Sequence, residues 1–471
     1  MKRKLVSTAV LLATLPATSA FAAALDRSGQ PVAPIFQPGN LVELGWTSLF
    51  PKVKGQENGG QQRAISNMAD KYSFPSAAVK YQANDNWSLS FLYDHPFGAD
   101  AAYHGDNIFT TNQAGLTGAA TTLVQAGVAA QAQAKLQAAI SSQLAAKGMT
   151  AAQIQQALPG LVQQQLPAVV AAQMQTPAVK QAIAAQAAVG AGTTNTNVSV
   201  TTQSFSLIAG FQPNKNWHFY GGPVYQTIKG DVHLRGAAYS VYNGYDAVFH
   251  DSGAWGWMAG AAYQIPDIAF RAALTYRSAI KHDVETSENY GALLGMPVNS
   301  KTRIKTPQSV NLDLQTGVAP NTVAFANLRW VDWSSFAIQP GQFGAVSRKV
   351  GPLVGKPNGF NLVEYGKDQY SATVGVGRKF NDQWSGNLSV GWDSGAGEYI
   401  TTLGPTKGNW NLGIGAQYSP TKNFYVGLGA KYFWLGDAKA QVASKVGTTN
   451  YDAQFSGNHA IAVGVKAGYR F

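Results

Sequence analysis

The last stretch of the chain constrains the fold most strongly. From Ile461 to Phe471, apolar residues alternate with small or polar residues, and the run ends on an aromatic residue. Such period-two alternation is typical of a β-strand with one apolar and one polar face. In a soluble sandwich the apolar face would point to a core. In a transmembrane barrel it would point to lipid, and the polar face would line the lumen.

Short turn sequences separate many similar alternating runs. Each turn contains Asn, Asp or Pro, which is the chemistry of a tight connection between antiparallel strands. Six such turns lie near 83–86, 212–216, 265–267, 319–321, 380–383 and 419–423. The alternation around the turns predicts fourteen strands, near 41–50, 73–82, 87–97, 197–211, 217–234, 254–264, 268–285, 302–317, 322–335, 369–379, 384–394, 408–418, 424–436 and 457–471.

Short turns and long connections alternate along the chain. An even strand number with short turns at one end and long loops at the other is typical of bacterial outer-membrane barrels, whose termini are both periplasmic. The low charge content of 13% and the aromatic content of 11% suit strands that face lipid. We therefore predict an all-β fold, a 14-stranded antiparallel transmembrane β-barrel over 41–471, in the outer membrane of a Gram-negative cell.

The N-terminal residues predict export. Basic residues at 2–4 precede an apolar run, and Ala20-Phe21-Ala22 has the pattern of a signal-peptide cleavage site. We expect residues 1–22 to be a signal peptide and residues 23–40 to form a short hatch, or plug. The chain contains no cysteine, which excludes a disulfide framework and thiolate metal sites.

Charge and motif content narrow the possible partners. The formal net charge is +11, and the basic residues are scattered along the chain. We expect them to attract anionic lipid, including lipopolysaccharide, or carboxylate ligands rather than nucleic acid. The seven histidines show no metal-binding spacing, and no motif groups Ser, His and an acid. We predict no metal, no cofactor and no enzymatic activity.

The long loop predicted at 98–196 has an unusual composition. Ala and Gln dominate residues 113–190, and Leu136, Ile140 and Leu144 have helical spacing. One interpretation is a helical cap over the extracellular mouth, with its apolar stripe against ligand or lipid. The other is a disordered low-complexity insertion. The helical cap is favoured, because helices with such a stripe should pack on something.

Two consecutive strands carry a resemblance to a known family. Residues 257–263 (WMAGAAY) and 272–281 (AALTYRSAIK) resemble strands six and seven of the outer-membrane long-chain fatty acid transporters of the FadL type. The similarity covers most strands from about 197 to 471. The resemblance implies passive uptake of hydrophobic compounds, with the ligand leaving past the hatch or sideways through a gap in the wall. Long-chain fatty acids are the first expected substrates, aromatic or alkane hydrocarbons the second, and a general porin for polar solutes is a further alternative.

The resemblance also suggests where the wall opens. His95, Pro96, Phe97 and Gly98 interrupt the third predicted strand where the family has an inward kink. Because proline cannot donate to a strand ladder, it belongs at edges or bulges. We expect a lateral opening at these four residues, against the alternative that the strand simply ends there.

Three further residues are candidate ligand contacts. Arg235 falls where the family has a carboxylate-facing arginine, but it could instead pair with Asp231 or Asp246. Leu25 and Phe36 are the hatch residues expected to meet the ligand. The lysine of the family's inner pocket falls near Leu362, so that role is not transferred.

Aromatic residues suggest the membrane boundaries and an assembly signal. We expect six tryptophans to lie at the membrane interfaces, namely Trp46, Trp87, Trp217, Trp333, Trp384 and Trp434. The last strand, with its terminal Phe471, is expected to be recognised by the barrel assembly machinery. The barrel is expected to be a monomer.

Overall fold

The computed structural model describes residues 25–110, 113–190, 195–289 and 298–471. The predicted signal peptide and the first two residues of the predicted hatch lie outside these described residues. No helix within the described ranges is long and apolar enough to cross a membrane.

The described residues form a closed barrel of fourteen antiparallel strands, three of which are interrupted. The strands are β1 Leu41–Lys52, β2 Tyr72–Gln82, β3 Trp87–Asp94 and Gly98–Ala102, β4 Asn197–Phe211, β5 Trp217–Leu234, β6 Tyr245–Ile265, β7 Phe270–Arg277 and Ile280–Asn289, β8 Val298–Thr306 and Ser309–Ala319, β9 Thr322–Val331, β10 Gln369–Lys379, β11 Trp384–Asp393, β12 Lys407–Tyr418, β13 Phe424–Gly436 and β14 His459–Arg470. The first and last strands pair along their whole length, from Leu41 opposite Arg470 to Lys52 opposite His459. The predicted fold class is confirmed.

The outer face of the barrel is apolar. On β14, for example, Ile461, Val463 and Val465 are 41–42% exposed, whereas Ala460 and Ala462 on the opposite face are buried. An exposed apolar band around a closed ladder suits hydrocarbon, because every strand finds backbone partners on both sides.

Five of the six predicted interface tryptophans lie on this outer face, with exposures between 42% and 52%. The prediction is wrong for Trp333, which is fully buried. Trp333 follows the end of β9, where the chain has turned inward, so the strand parity no longer applies. Its ring contacts Phe97, Phe336 and Tyr365, and its indole N–H donates to Gln369 at 2.7 Å.

Connections at the long-loop end cover the barrel. Short strands at Gly55–Glu57, Ala64–Ile65, Tyr399–Thr401, Ala438–Gln441 and Ala453–Phe455 form a second sheet. A helix at Gly341–Val350 and a two-stranded ladder, Ala337–Ile338 with Val363–Glu364, complete the cover. Their apolar residues join those of the upper strands in one buried core.

The Ala/Gln-rich segment is helical. It forms α1 Gln113–Ala146, α2 Ala151–Met174 and α3 Pro177–Gly190. Helix α1 packs on α2, on α3 and on the turn at Ala237–Tyr242. Of the stripe predicted to meet ligand or lipid, Ile140 is buried, whereas Leu136 and Leu144 are half-buried. Because β3 continues to Ala102, the insertion begins at 103 rather than at the predicted 98.

The two ends of the helical insertion lie side by side, since the Thr196 amide donates to the Phe109 carbonyl at 3.3 Å. We therefore expect that replacing residues 111–194 with a four-residue Gly-Ser linker will leave the barrel folded, because the linker can span the gap without strain. The heat-modifiable mobility of the protein in SDS gels measures this. Loss of the folded band would show that the helices are needed for the barrel.

Candidate functional site

The N-terminal hatch lies inside the lumen and is fixed by a buried ion pair. Arg329 on β9 donates from Nε to Asp26 Oδ2 at 2.8 Å, and the two side chains are 4% and 0% exposed. Arg329 Nη1 also donates to Asn311 Oδ1 at 2.6 Å. The Asn311 amide in turn donates to the Gly29 carbonyl at 2.9 Å. The hatch is therefore joined to β8 and β9 by charge-assisted hydrogen bonds.

The hatch also pairs with the interruption in β3. The Arg27 amide donates to the Pro96 carbonyl at 2.7 Å, and the Gly98 amide donates to the Leu25 carbonyl at 2.8 Å. On the other side of the interruption, the Phe97 amide donates to Thr202 Oγ1 at 2.9 Å. The backbone groups that a regular strand would turn toward β2 are therefore bonded to the hatch instead.

The ladder between β2 and β3 is incomplete. Residues 77–82 of β2 pair with 88–93 of β3, and a single bridge joins Ala69 to Ala101 further up. Between these points, residues 72–76 pair with β1 but have no ladder partner on β3. A proline stands on each side of this gap, Pro75 on β2 and Pro96 on β3, and neither can donate a backbone hydrogen bond.

Four residues at the interruption were predicted to form the opening, and their side chains occupy different surroundings. The Tyr93 hydroxyl contacts His95 Nε2 at 2.9 Å, and the Phe97 ring packs edge-on against Trp333 across the lumen at 5.5 Å. Gly98 leaves room for the Arg27 guanidinium, because a β-carbon there would lie 2.3 Å from Arg27 Cζ.

The gap is covered from inside by one side-chain contact. The Arg27 guanidinium stacks on the Tyr72 ring at 3.8 Å, which is a cation–π contact. Because Tyr72 belongs to the part of β2 that pairs with β1 but not with β3, and Arg27 belongs to the hatch, this contact joins the hatch to the edge of the gap. The hatch would have to shift for the gap to open fully.

An apolar pocket, here called the upper pocket, adjoins the gap. It has a volume of about 90 Å³. Its wall includes Leu25 of the hatch, Tyr72 and Gly98 at the gap, and loop residues such as Tyr365. Burial raises the pKa of Tyr365 far above its usual range, so its phenol stays neutral. Leu25 thus lines an apolar pocket, and its predicted contact with a ligand stays a prediction.

Arg235 does not line the upper pocket. Its Nη2 donates to Asp246 Oδ1 at 2.7 Å, and its Nη1 donates to the carbonyls of Leu234 and Tyr245. Its Nε is buried without a hydrogen-bond partner among the described residues. The geometry matches the Asp246 alternative, and a carboxylate-binding role stays a prediction. Leu362, where the family has its lysine, is buried in the apolar core.

The lower lumen contains a second cavity of about 190 Å³, here called the lower cavity. Phe36 of the hatch lines it, with the Arg271 guanidinium 4.3 Å from the ring and Tyr220 edge-on at 5.4 Å. Charged side chains also line this cavity, among them Glu43 and Lys466, which pair at 3.4 Å. The upper pocket is apolar, and the lower cavity is amphipathic.

The sequence reasoning missed the Asp26–Arg329 pair. One signal was present, because Arg329 follows the lipid-facing Leu328 and therefore sits at a lumen position of β9. An ionisable residue at such a position is usually paired or functional. The identity of the partner, 303 residues away, could not be read from the sequence.

Comparison with known proteins now identifies the class. The model of the outer membrane protein transport protein family (OMPP1/FadL/TodX) matches residues 42–471. The chain belongs to this family of outer-membrane transport proteins, which are channels rather than enzymes. No curated protein matches the sequence at a significant level.

Solved structures show the same fold at low sequence identity. A Pseudomonas aeruginosa FadL homologue aligns with a TM-score of 0.60 and 12% identity, over 94% of this chain and 93% of that one. The P. putida toluene transporter TodX gives 0.55 and 13%, over 93% and 91%. The Ralstonia pickettii toluene transporter TbuX gives 0.53 and 10%, over 98% and 99%.

The buried ion pair generates a prediction about the hatch. Replacing Arg329 with Met leaves the Asp26 carboxylate unpaired in the lumen, and breaking a buried pair in this way costs about 3–5 kcal/mol. We expect Arg329→Met to loosen the hatch and to raise the conductance of the purified protein in planar bilayers. Arg303→Met is the matched control, because Arg303 forms an exposed pair with Asp283 on the outer face. An unchanged conductance for Arg329→Met would show that other contacts hold the hatch.

Proposed function

We propose that this protein takes up small hydrophobic compounds across the outer membrane by diffusion. A ligand enters the upper pocket from the long-loop end and leaves sideways between β2 and β3. In this proposal the long loops are extracellular, and the short turns and both termini are periplasmic. The observation that carries it is the direct connection between the upper pocket and the gap, since Tyr72 and Gly98 line both.

The distribution of polarity supports a sideways exit. Burying apolar ligand surface in the upper pocket is favourable by about 25 cal/mol per Å². Continuing straight down would take the ligand past the hatch and past charged residues such as Glu43 and Lys466. Leaving through the gap would bring it directly into lipid, where apolar surface is equally stable.

The upper pocket favours uncharged ligands of modest size. No cation from the described part of the chain lines it, and of its two acidic residues Asp26 is already paired with Arg329. A dry cavity of roughly 150 Å³ can hold benzene, so a slight widening of this pocket would admit a monoaromatic compound. We propose neutral aromatic hydrocarbons first and long-chain fatty acids second. Among the solved structures with a similar fold, TodX and TbuX are toluene transporters, and the P. aeruginosa protein is a FadL homologue.

Restoring regular backbone chemistry at the interruption should reduce uptake. In Pro96→Ala, residue 96 regains an N–H for the ladder. Gly98 is left unchanged, because a β-carbon there would lie 2.3 Å from Arg27 Cζ and would displace the guanidinium that covers the gap. We expect uptake of labelled toluene by cells to fall about tenfold, with an unchanged unfolding temperature. A tenfold change corresponds to about 1.4 kcal/mol.

Pro223→Ala is the control for this experiment, because Pro223 lies on the outer face of β5, away from the gap and opposite Trp257. It should leave uptake unchanged. Equal uptake by Pro96→Ala and the control would reject the lateral route. A large steady conductance of the unmodified protein would instead favour the porin alternative.

A comparison of a fatty acid with its methyl ester tests the predicted role of Arg235. If its Nε contacts a carboxylate, Arg235→Ala weakens binding of a fatty acid far more than binding of its methyl ester. Equal loss of both ligands rejects that role and leaves Arg235 as the partner of Asp246. Recognition by the assembly machinery through Phe471, the monomeric state and contact with lipopolysaccharide also remain predictions.

A further inference from the structure

The lower cavity contains a buried cation with no protein partner among the described residues. Lys431, on the inner face of β13, is 6% exposed, and its ammonium forms no hydrogen bond or ion pair within those residues. The other buried lumen cations differ. Lys80 donates to the Gln37 carbonyl, and Arg329 holds Asp26. Because Lys431 lines the cavity, a ligand there would supply the partner that the described residues do not.

The strands around Lys431 make room for something beside it. Ser389 on β11 is opposite Gly413 on β12, and Gly413 is opposite Lys431. A β-carbon at Gly413 would lie 2.6 Å from Ser389 Oγ and 3.1 Å from Lys431 Cγ. The glycine therefore lets the lysine and the hydroxyl lie together over the floor of the cavity. Both side chains line the cavity.

The same cavity has an apolar wall. Pro31, Val32 and Pro34 of the hatch line it, as does Phe325 of β9. Phe325 lies over the backbone of Gly375, so its ring forms part of the inner wall. Within the described ranges, one cavity thus combines a hydrocarbon surface with a lysine ammonium that has no protein partner, and the Arg271 guanidinium in the same lining lies against the Phe36 ring. A ligand that satisfies both must carry a negative group and an apolar body.

We propose that Lys431 binds the carboxylate of an amphipathic acid whose hydrocarbon part lies against the hatch. The ammonium would donate to one carboxylate oxygen, and the Ser389 hydroxyl would donate to the other. Charge-assisted hydrogen bonds of this kind are short and strong in a partly dry site. Alkyl and aryl carboxylates share this chemistry. The inference rests on the proposed function only in that the ligand must reach the lumen.

Binding to the purified protein in detergent micelles at neutral pH tests the proposal. The probes are two matched pairs, octanoate with methyl octanoate and benzoate with toluene, measured by titration calorimetry. We expect Lys431→Met to bind one or both acids about tenfold more weakly, which corresponds to about 1.4 kcal/mol. The neutral partners should bind as they do to the unmodified protein. Weaker binding of octanoate would identify an alkyl carboxylate as the ligand, and weaker binding of benzoate would identify an aryl carboxylate.

Lys466→Met is the matched control. It removes another positive charge from the same cavity, but Lys466 already has a carboxylate partner in Glu43 at 3.4 Å. A specific site predicts little change in acid binding for this variant. Equal weakening by Lys431→Met and Lys466→Met would indicate general attraction to a positive lumen and overturn the proposal. Unchanged acid binding by Lys431→Met would overturn it as well.

Two further measurements distinguish a failure of this inference from a failure of the proposed function. Lys431→Arg keeps the charge and should retain acid binding, so it serves if Lys431→Met fails to give a heat-modifiable folded band. Loss of acid binding by a folded Lys431→Arg would also count against the site. Toluene uptake by cells expressing Lys431→Met reports on the lateral route alone. It should be normal whether or not the carboxylate site exists.

Discussion

Backbone hydrogen bonding at one point in the wall controls the rest of the structure. A chain surrounded by hydrocarbon must pair its N–H and C=O groups internally, and a closed barrel does so through its neighbouring strands. The interruption in β3 breaks this rule between β2 and β3. The hatch supplies the missing partners, because Arg27 and Leu25 bond to Pro96 and Gly98. A break in the wall is therefore compatible with a stable barrel only while the hatch is in place.

In the proposed function, ligand specificity follows from how charge is distributed between the upper pocket and the lower cavity. The upper pocket is mostly apolar, and Asp26, one of its two carboxylates, is neutralised by Arg329. The lower cavity keeps cations, and Lys431 is unpaired there among the described residues. In the proposed function a neutral compound is stabilised in the upper pocket beside the gap, whereas an acid would be stabilised in the lower cavity. The two compartments of one lumen thus differ in the charge of the ligand that they favour.

Much of the architecture could be predicted from the sequence, because strand alternation and turn chemistry are local. The period-two pattern in β13 and β14 shows which face meets lipid, and Pro96 marks the interruption. Contacts between distant segments could not be predicted in the same way. Tryptophan is a residue type that favours the membrane interface. Trp333, however, lies beyond the end of β9, where the alternation no longer indicates which face a side chain occupies. The pairing of Asp26 with Arg329 depends on the three-dimensional path of the hatch.

The distance in sequence between those two residues has a consequence for biogenesis. Asp26 lies near the N-terminus, and Arg329 is 303 positions later, on the ninth strand. Contacts of such high sequence separation form late, because the intervening chain must first be ordered. The contact of the plug with β9 therefore forms later than its backbone hydrogen bonds to β3, and assembly would pass through a stage in which the plug is held on one side only. The order in which these contacts form, and not only the stability of the finished barrel, then decides when the plug closes the lumen.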